Sequence, residues 1–277
     1  MFDNLVPVNV ATFSEMQERT VTEFAGDGTT PLGPARLLQN VVGGVHSPRS
    51  LNWNAEVDHQ VMQSLLVRVS HSERSTRHEP LVDATPLDSP TAALILKGDG
   101  RSRYRETQVV GRYQFHGTDQ LVGSYTHSSA TGDLNDFNTY FGYLQDPIIR
   151  PNQRAPLPFD APNRFLFWSN VSLPYGLSVF PVLDVRTGFP VSVVDADRNF
   201  VGPRNRAGRY PEFVSLDMQV TKRLRVMHHT TTLGVKVFNI TNHFNPRDYQ
   251  DNLASAAFGT FYNSVGRTFR GKWEIDF

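Results

Sequence analysis

The sequence contains no cysteine. That absence removes disulfides, thiolate catalysis and Cys-based zinc sites together. There is no excess charge of either sign, since 27 lysines and arginines balance 27 aspartates and glutamates across 277 residues. A nucleic-acid partner normally needs a clustered basic surface, so none is indicated. No stretch approaches the roughly 20 consecutive apolar residues of a membrane-spanning helix. A spanning β-strand remains open, because it needs only about 9–11 residues and only alternate ones face lipid. Helical periodicity is nearly missing: few segments place apolar residues at i, i+3, i+4 and i+7 over three turns. Neither a Gly-x-Ser-x-Gly elbow nor a Gly-x-x-x-x-Gly-Lys-Ser/Thr loop occurs, and no cofactor is expected.

What is present is strict alternation. At 51–60, Leu51, Trp53, Ala55 and Val57 oppose Asn52, Asn54, Glu56 and Asp58. Successive strand side chains point to opposite faces, so such a segment has one apolar and one wet side. The same pattern holds at 64–72 (Leu65, Val67, Val69 against Arg68, Ser70) and at 104–115 (Val109, Gly111, Tyr113, Phe115 against Gln108, Arg112, Gln114). It returns at 213–223 (Val214, Leu216, Met218, Val220 against Ser215, Asp217, Gln219, Thr221) and at 231–240, where the period drifts at Phe238. The segments 119–129, 163–173 and 177–187 are noisier, and Pro181 lies inside the last.

The connections alternate short and long. Residues 61–63, His116-Gly117-Thr118, Pro174-Tyr175-Gly176 and 225–229 are tight. Residues 72–104, 130–162, 188–212 and 241–264 are long, and Gly98-Asp99-Gly100 reads as a turn. Repeated long loops are unusual in ordinary domains. Transmembrane barrels have short periplasmic turns and long extracellular loops as a rule. Residues 1–50 form a loop-rich lead-in, with one further strand expected over Met16–Phe24 and turn chemistry at Gly26-Asp27-Gly28 and Pro31-Leu32-Gly33-Pro34.

The last segment places Phe269, Trp273, Ile275 and Phe277 on one face and Thr268, Arg270, Lys272, Glu274 and Asp276 on the other. Its terminal phenylalanine resembles the final strand of bacterial outer-membrane barrels. The resemblance implies that Phe269, Trp273, Ile275 and Phe277 form the signal read by the barrel-assembly machinery.

Other constellations read as solvated turns. His228-His229 lacks a third ligand, so no metal is expected there. Asp133, Asn135 and Asp136 are part of a calcium-loop pattern without its glycine and distal glutamate. Candidate ligand-contacting residues on the long connections are Asp136, Phe137, Tyr140, Tyr143, Arg204, Arg206 and Tyr249. The aromatic run 137–143 suits an interfacial girdle equally well.

Several segments resemble the barrel of TonB-dependent receptors, and more narrowly the Oar-type receptors that carry a carboxypeptidase-regulatory-like domain. They are Ser47-Pro48-Arg49-Ser50-Leu51-Asn52-Trp53-Asn54, Ser124-Tyr125-Thr126-His127-Ser128, Asp160-Ala161-Pro162-Asn163-Arg164-Phe165, Thr187-Gly188-Phe189-Pro190 and Val237-Phe238-Asn239-Ile240-Thr241-Asn242-His243. The resemblance covers most of residues 45–277. It implies an outer-membrane receptor with a plug, a link to the TonB complex through that plug, and a barrel of about 22 strands, of which this sequence holds roughly the last ten. No signal peptide is visible after Met1, and the expectation is a chain whose front is missing.

The expected fold is therefore all-β: an antiparallel meander over 51–277 forming part of a transmembrane β-barrel, open or incomplete as an isolated chain. The expected partners are outer-membrane lipid, the assembly machinery, the TonB complex and an unidentified extracellular ligand. Two other classes stand against this receptor reading. One is a structural or adhesive all-β surface protein binding through its loops. The other is a hydrolase, for which no nucleophile–base pair is visible.

Overall fold

A computed structural model of the chain describes residues 19–21, 30, 36–84, 91–133, 152–196, 200–226 and 229–276. In chain order the strands are β1 (Arg19–Val21), β2 (Arg36–Val42), β3 (Arg49–Met62), β4 (Leu65–Ala84), β5 (Thr91–Phe115), β6 (Asp119–Gly132), β7 (Ala155–Pro156), β8 (Asn163–Leu173), β9 (Leu177–Arg186), β10 (Pro190–Val191), β11 (Gly208–Arg209), β12 (Phe213–Val226), β13 (His229–Phe238), β14 (Asp248–Tyr249), β15 (Phe261–Tyr262) and β16 (Thr268–Asp276). No α-helix occurs among the described residues; Pro174–Gly176 forms one 3-10 turn.

Nine long strands make one antiparallel meander in the order β3-β4-β5-β6-β8-β9-β12-β13-β16. The strands form where the sequence alternates, and the tight connections fall at one end. Gln63-Ser64, His116–Thr118 and Pro174–Gly176 close three hairpins, and Val226 pairs with His229 in a fourth. Two of these turns need left-handed backbone. His116 and Gly117 have φ of 40° and 74°, and Tyr175 and Gly176 have φ of 63° and 71°. A glycine takes that conformation without a Cβ penalty. The meander does not close: among the described residues β16 pairs only with β13, and β3 only with β4.

Two expectations are corrected. Residues 72–104 are not a long loop, because β4 runs on to Ala84 and β5 begins at Thr91, making a protruding hairpin. Gly98-Asp99-Gly100 is not a turn but lies inside β5. A Cβ on Gly98 would come within 2.9 Å of the His46 backbone nitrogen, and one on Gly100 within 2.7 Å of the Glu79 carbonyl oxygen. These glycines permit close backbone approach beside irregular register at Arg77, Glu79 and Leu81. Pro181, which weakened the strand reading, is in register with Met218 of β12. Toward β8 the ladder passes from Trp168–Val182 to Val171–Val179, so the missing donor falls on that side. In the lead-in, β1 lies within the expected 16–24 strand and pairs with β2, which runs parallel to the start of β5. The turn segments at 26–28 and 31–34 lie outside the described residues.

The register joins apolar residues across the sheet. Val57, Val69, Val109, Tyr125, Phe165, Val185 and Val214 form one continuous row over seven strands. Val171, Val179, Val220 and Val235 form another, ending at Gly271. One position along, the opposite face presents Asp58, Arg68, Ser124, Asp184 and Ser215. Trp53, Val67, Tyr113, Val214, Leu216, Val235, Trp273 and Ile275 share the apolar face, while Asn54, Arg68, Arg112, Asp217, Lys236, Lys272 and Glu274 share the polar one. A one-residue slip would have exchanged the two sets.

Several large residues of the apolar face are open. Leu51 and Trp273 are each 72% exposed, and Val57 is 68% exposed. Along β5, Ser102, Tyr104, Glu106, Gln108 and Val110 are half-buried, whereas Arg101, Arg103, Arg105, Thr107 and Val109 are exposed. On β5 and β6 the polar face is thus the more shielded one, whereas β3 is exposed on both faces.

Candidate functional site

The polar face is a wall of compensated charge. The Arg68 guanidinium grips Asp58 through two parallel bonds, Nε to Oδ1 at 2.7 Å and Nη2 to Oδ2 at 2.8 Å, with Glu56 at 3.2 Å from Nε. Arg164 holds Asp184 in the same fork, at 2.9 and 2.8 Å. Tyr104 and Ser72 both donate to Glu106, at 2.6 and 3.1 Å, and Gln108 donates to Thr126 at 3.1 Å. Bidentate Arg–carboxylate pairs fix side-chain direction as well as energy. Such a surface is wettable.

The long-connection end is folded against the strands. Asp160, almost fully buried, accepts from the Ala130 backbone N–H at 2.7 Å and from Arg209 Nη2 at 2.6 Å. Arg209 Nη1 also donates to the carbonyls of Asp160 and Gly188, at 2.7 and 3.1 Å. Gly188 is required there, since a Cβ would lie 1.9 Å from the Tyr210 carbonyl oxygen. Nearby, buried Asn239 adopts φ 49° and donates to the His243 carbonyl at 2.9 Å, while its Oδ1 accepts the His243 N–H at 3.0 Å. Asn245 pairs both ways with the Val214 backbone, at 2.9 Å in each direction. Asn tolerates left-handed backbone and bonds locally, which suits it to end a strand and start a packed loop. Three of the motifs that suggested a receptor resemblance therefore supply these clasps.

The strand pairs β10–β11 and β14–β15 stiffen the two connections further. Between them Tyr210, Tyr249 and Phe261 cluster, with ring centroids 6.4, 5.1 and 4.8 Å apart. Burial, and then the negative charge of Asp248, pushes the Tyr210 phenol above its ordinary value.

The sequence-derived site residues separate in space. Tyr249 belongs to the aromatic cluster. Arg206 is exposed on the 187–212 connection. Arg204 is buried, its backbone N–H donating to Gln153 Oε1 at 2.9 Å, so it ties two connections together and does not present a guanidinium to solvent. Asp136, Phe137, Tyr140 and Tyr143 lie outside the described residues, as does Phe277. Phe269, Trp273 and Ile275 share the exposed apolar face of β16. Among the described residues no three His, Asp or Glu side chains converge as a metal site would require. Sequence reasoning missed Asp160, Gly188 and Arg209, which come together only through contacts across 21 and 49 positions. It also missed the arginines at 101, 103 and 105, whose period-2 spacing places them on one face.

No protein-family model and no curated protein matches the sequence. The fold is similar to the crystal structure of the outer membrane transporter YddB from Escherichia coli, at TM-score 0.59 and 10% sequence identity, over 87% of this chain. The chain spans 33% of that transporter's length. Its architecture is thus an antiparallel meander matching part of an outer-membrane transporter barrel.

Proposed function

We propose that this chain is part of the wall and extracellular loops of an outer-membrane receptor of the TonB-dependent, Oar-like kind, serving energised uptake. The observation behind the reading is a continuous apolar band on one face of the sheet, backed by a charge-paired polar face. On β12 the band runs from Val214 to Leu224, about 34 Å along an extended strand. Tilted by about 35–45°, that length rises some 24–28 Å, close to the roughly 25 Å apolar band of outer-membrane barrels. Lys222 near its lower end turns its ammonium to the Tyr175 carbonyl in the hairpin turn, as an interfacial lysine does. In this reading the apolar face meets lipid, the polar face meets a hydrated lumen, and the tight turns lie in the periplasm. The long connections lie outside and contact an unidentified ligand, with Arg206 and Tyr249 among the candidates. A plug on the same receptor would connect to the TonB complex, and the β16 face would engage the assembly machinery.

The test is to express residues 1–277 and run gel filtration with and without detergent. The expected result is aggregation in water, because an apolar face and two strand edges are open, and recovery as a discrete species in detergent. A sharp monomer peak without detergent, with cooperative unfolding, would overturn the reading and favour a soluble all-β binding protein.

A further inference from the structure

Arg49, Arg77 and Arg101 stand directly opposite one another on three adjacent strands, β3, β4 and β5. Neighbouring Cα atoms in such a row are about 4.5–5.5 Å apart. Like charges directly opposed across strands repel. Neutralising carboxylates are already engaged nearby: Glu73 takes Arg103 at 2.6 Å and Asp133 takes Arg154 at 3.5 Å. Among the described residues Arg49, Arg77 and Arg101 make no ion pair. A cleft of about 400 Å³ opens over Arg77 and Arg101, lined also by Ser75, Ser102, Arg103, Asp133 and Arg154, and Arg49 adjoins it through its pairing with Arg77. A second, with His46, His78, Lys97 and the carboxylate of Asp99, adjoins it and shares Arg77 and Arg101.

The position of the row identifies its occupant. By register it belongs to the apolar face and not to the polar one. On β3 it lies two residues before Leu51 on the same side of the strand as Trp53, whose ring is 5.2 Å from that of His71. On β5 Thr107 and then the arginines at 105, 103 and 101 follow Val109 along that strand's outward row, away from the tight turn. The cations therefore border the apolar band on its long-connection side. If the band lies in the membrane, as proposed above, this is the headgroup layer of the outer leaflet. Guanidinium groups bind phosphate in bidentate fashion, and several phosphates at fixed spacing would relieve the opposed charges. A soluble anion entering the lumen would approach the other face.

We infer that Arg49, Arg77 and Arg101 form a site for the phosphate groups of an anionic outer-leaflet glycolipid. The experiment uses the full chain refolded into phosphatidylcholine nanodiscs, with bis-phosphorylated lipid A, its dephosphorylated form and inorganic pyrophosphate as probes. Wild type should retain the phosphorylated lipid and not the dephosphorylated one. The Arg49→Gln/Arg77→Gln/Arg101→Gln triple variant should weaken that retention by at least about tenfold, since each substitution removes one bidentate guanidinium–phosphate pair. Arg112→Gln/Arg223→Gln/Arg270→Gln removes equal charge from the polar face and should leave it unchanged. Refolding of each variant is checked by circular dichroism. If the first triple variant does not refold, the single variants Arg77→Gln and Arg101→Gln are read instead, each expected to weaken retention measurably.

Equal retention of the dephosphorylated lipid, or no difference between the two triple variants, would overturn the inference while leaving the membrane reading intact. Displacement by an equal concentration of pyrophosphate would overturn the lipid assignment in favour of a soluble anion. Failure of wild type to enter nanodiscs at all would overturn both.

Discussion

Asp160→Ala is the most informative single change. The carboxylate accepts the Ala130 N–H at 2.7 Å and the Arg209 guanidinium at 2.6 Å, and its side chain is only 6% exposed. A hydrogen bond to a charged group contributes about 1.5–3 kcal/mol, and a stranded buried donor costs about 1–3 kcal/mol. Breaking a fully buried ion pair costs about 3–5 kcal/mol. Arg209 is 31% exposed, so water takes over part of its loss. The lower end of that range, about 3 kcal/mol, is therefore expected. The penalty should appear locally, as opening of the loop end, because the clasp joins the connections to the last residues of β6 and not to the strands' middles. At about 1.4 kcal/mol per tenfold, Ala130 amide exchange should accelerate on the order of 100-fold in detergent micelles. Asp160→Asn keeps an acceptor for Ala130 but turns an NH2 toward Arg209, and should fall between wild type and the alanine variant. In an Arg209→Ala background the effect of Asp160→Ala should shrink by about 1.5–3 kcal/mol, the signature of coupled partners. Unchanged exchange at Ala130 in both Asp160 variants, or additive effects in the double variant, would refute the reasoning.

Three further outcomes are expected. In bilayers with brominated acyl chains, a variant retaining only Trp273 should be strongly quenched and one retaining only Trp168 should not, since the register puts them on opposite faces; equal quenching would mean the faces are misassigned. Burial holds the Glu79 carboxyl above its ordinary value, so Glu79→Gln, which removes that disfavoured charge, should raise the urea midpoint at neutral pH, and a lowered midpoint would count against that account. The raised Tyr210 phenol favours the neutral form in the folded loops, so its stabilisation is complete below the ordinary phenol value near pH 10 and is lost as pH rises through the folded value. Proteolytic nicking of the 187–212 connection should increase in that alkaline window, and Tyr210→Phe should remove the pH dependence.

The sequence revealed the fold wherever alternate positions contrasted. On β12 and β16 every second residue changes between apolar and polar, and the expected segments match the observed strands closely. Contrast disappears where both faces are wet. Residues 73–77 and 101–105 form strands carrying Glu73, Arg74, Ser75, Arg77, Arg101 and Arg103, so their extension was legible neither as strand nor as hairpin. Gly98-Asp99-Gly100 misled for a related reason: the same glycines serve a turn or a close backbone contact, and sequence does not distinguish the two. The loop end was legible as length but not as structure. Arg204 has the composition of a ligand contact, yet its burial depends on Gln153, 51 positions away.

The hairpin turns at the tight end set where each strand starts relative to its neighbour, and the paired residues follow from there. Length added at the opposite end leaves those starting points untouched. The two ends of this sheet therefore age differently. Insertions and deletions can accumulate in the connections after β6, β9 and β13, while one residue gained at His116–Thr118 or Pro174–Gly176 would displace a whole strand. A lineage of such chains would diverge by replacing its long connections over a frame held at the tight end, and a foreign peptide would be tolerated best on the same side.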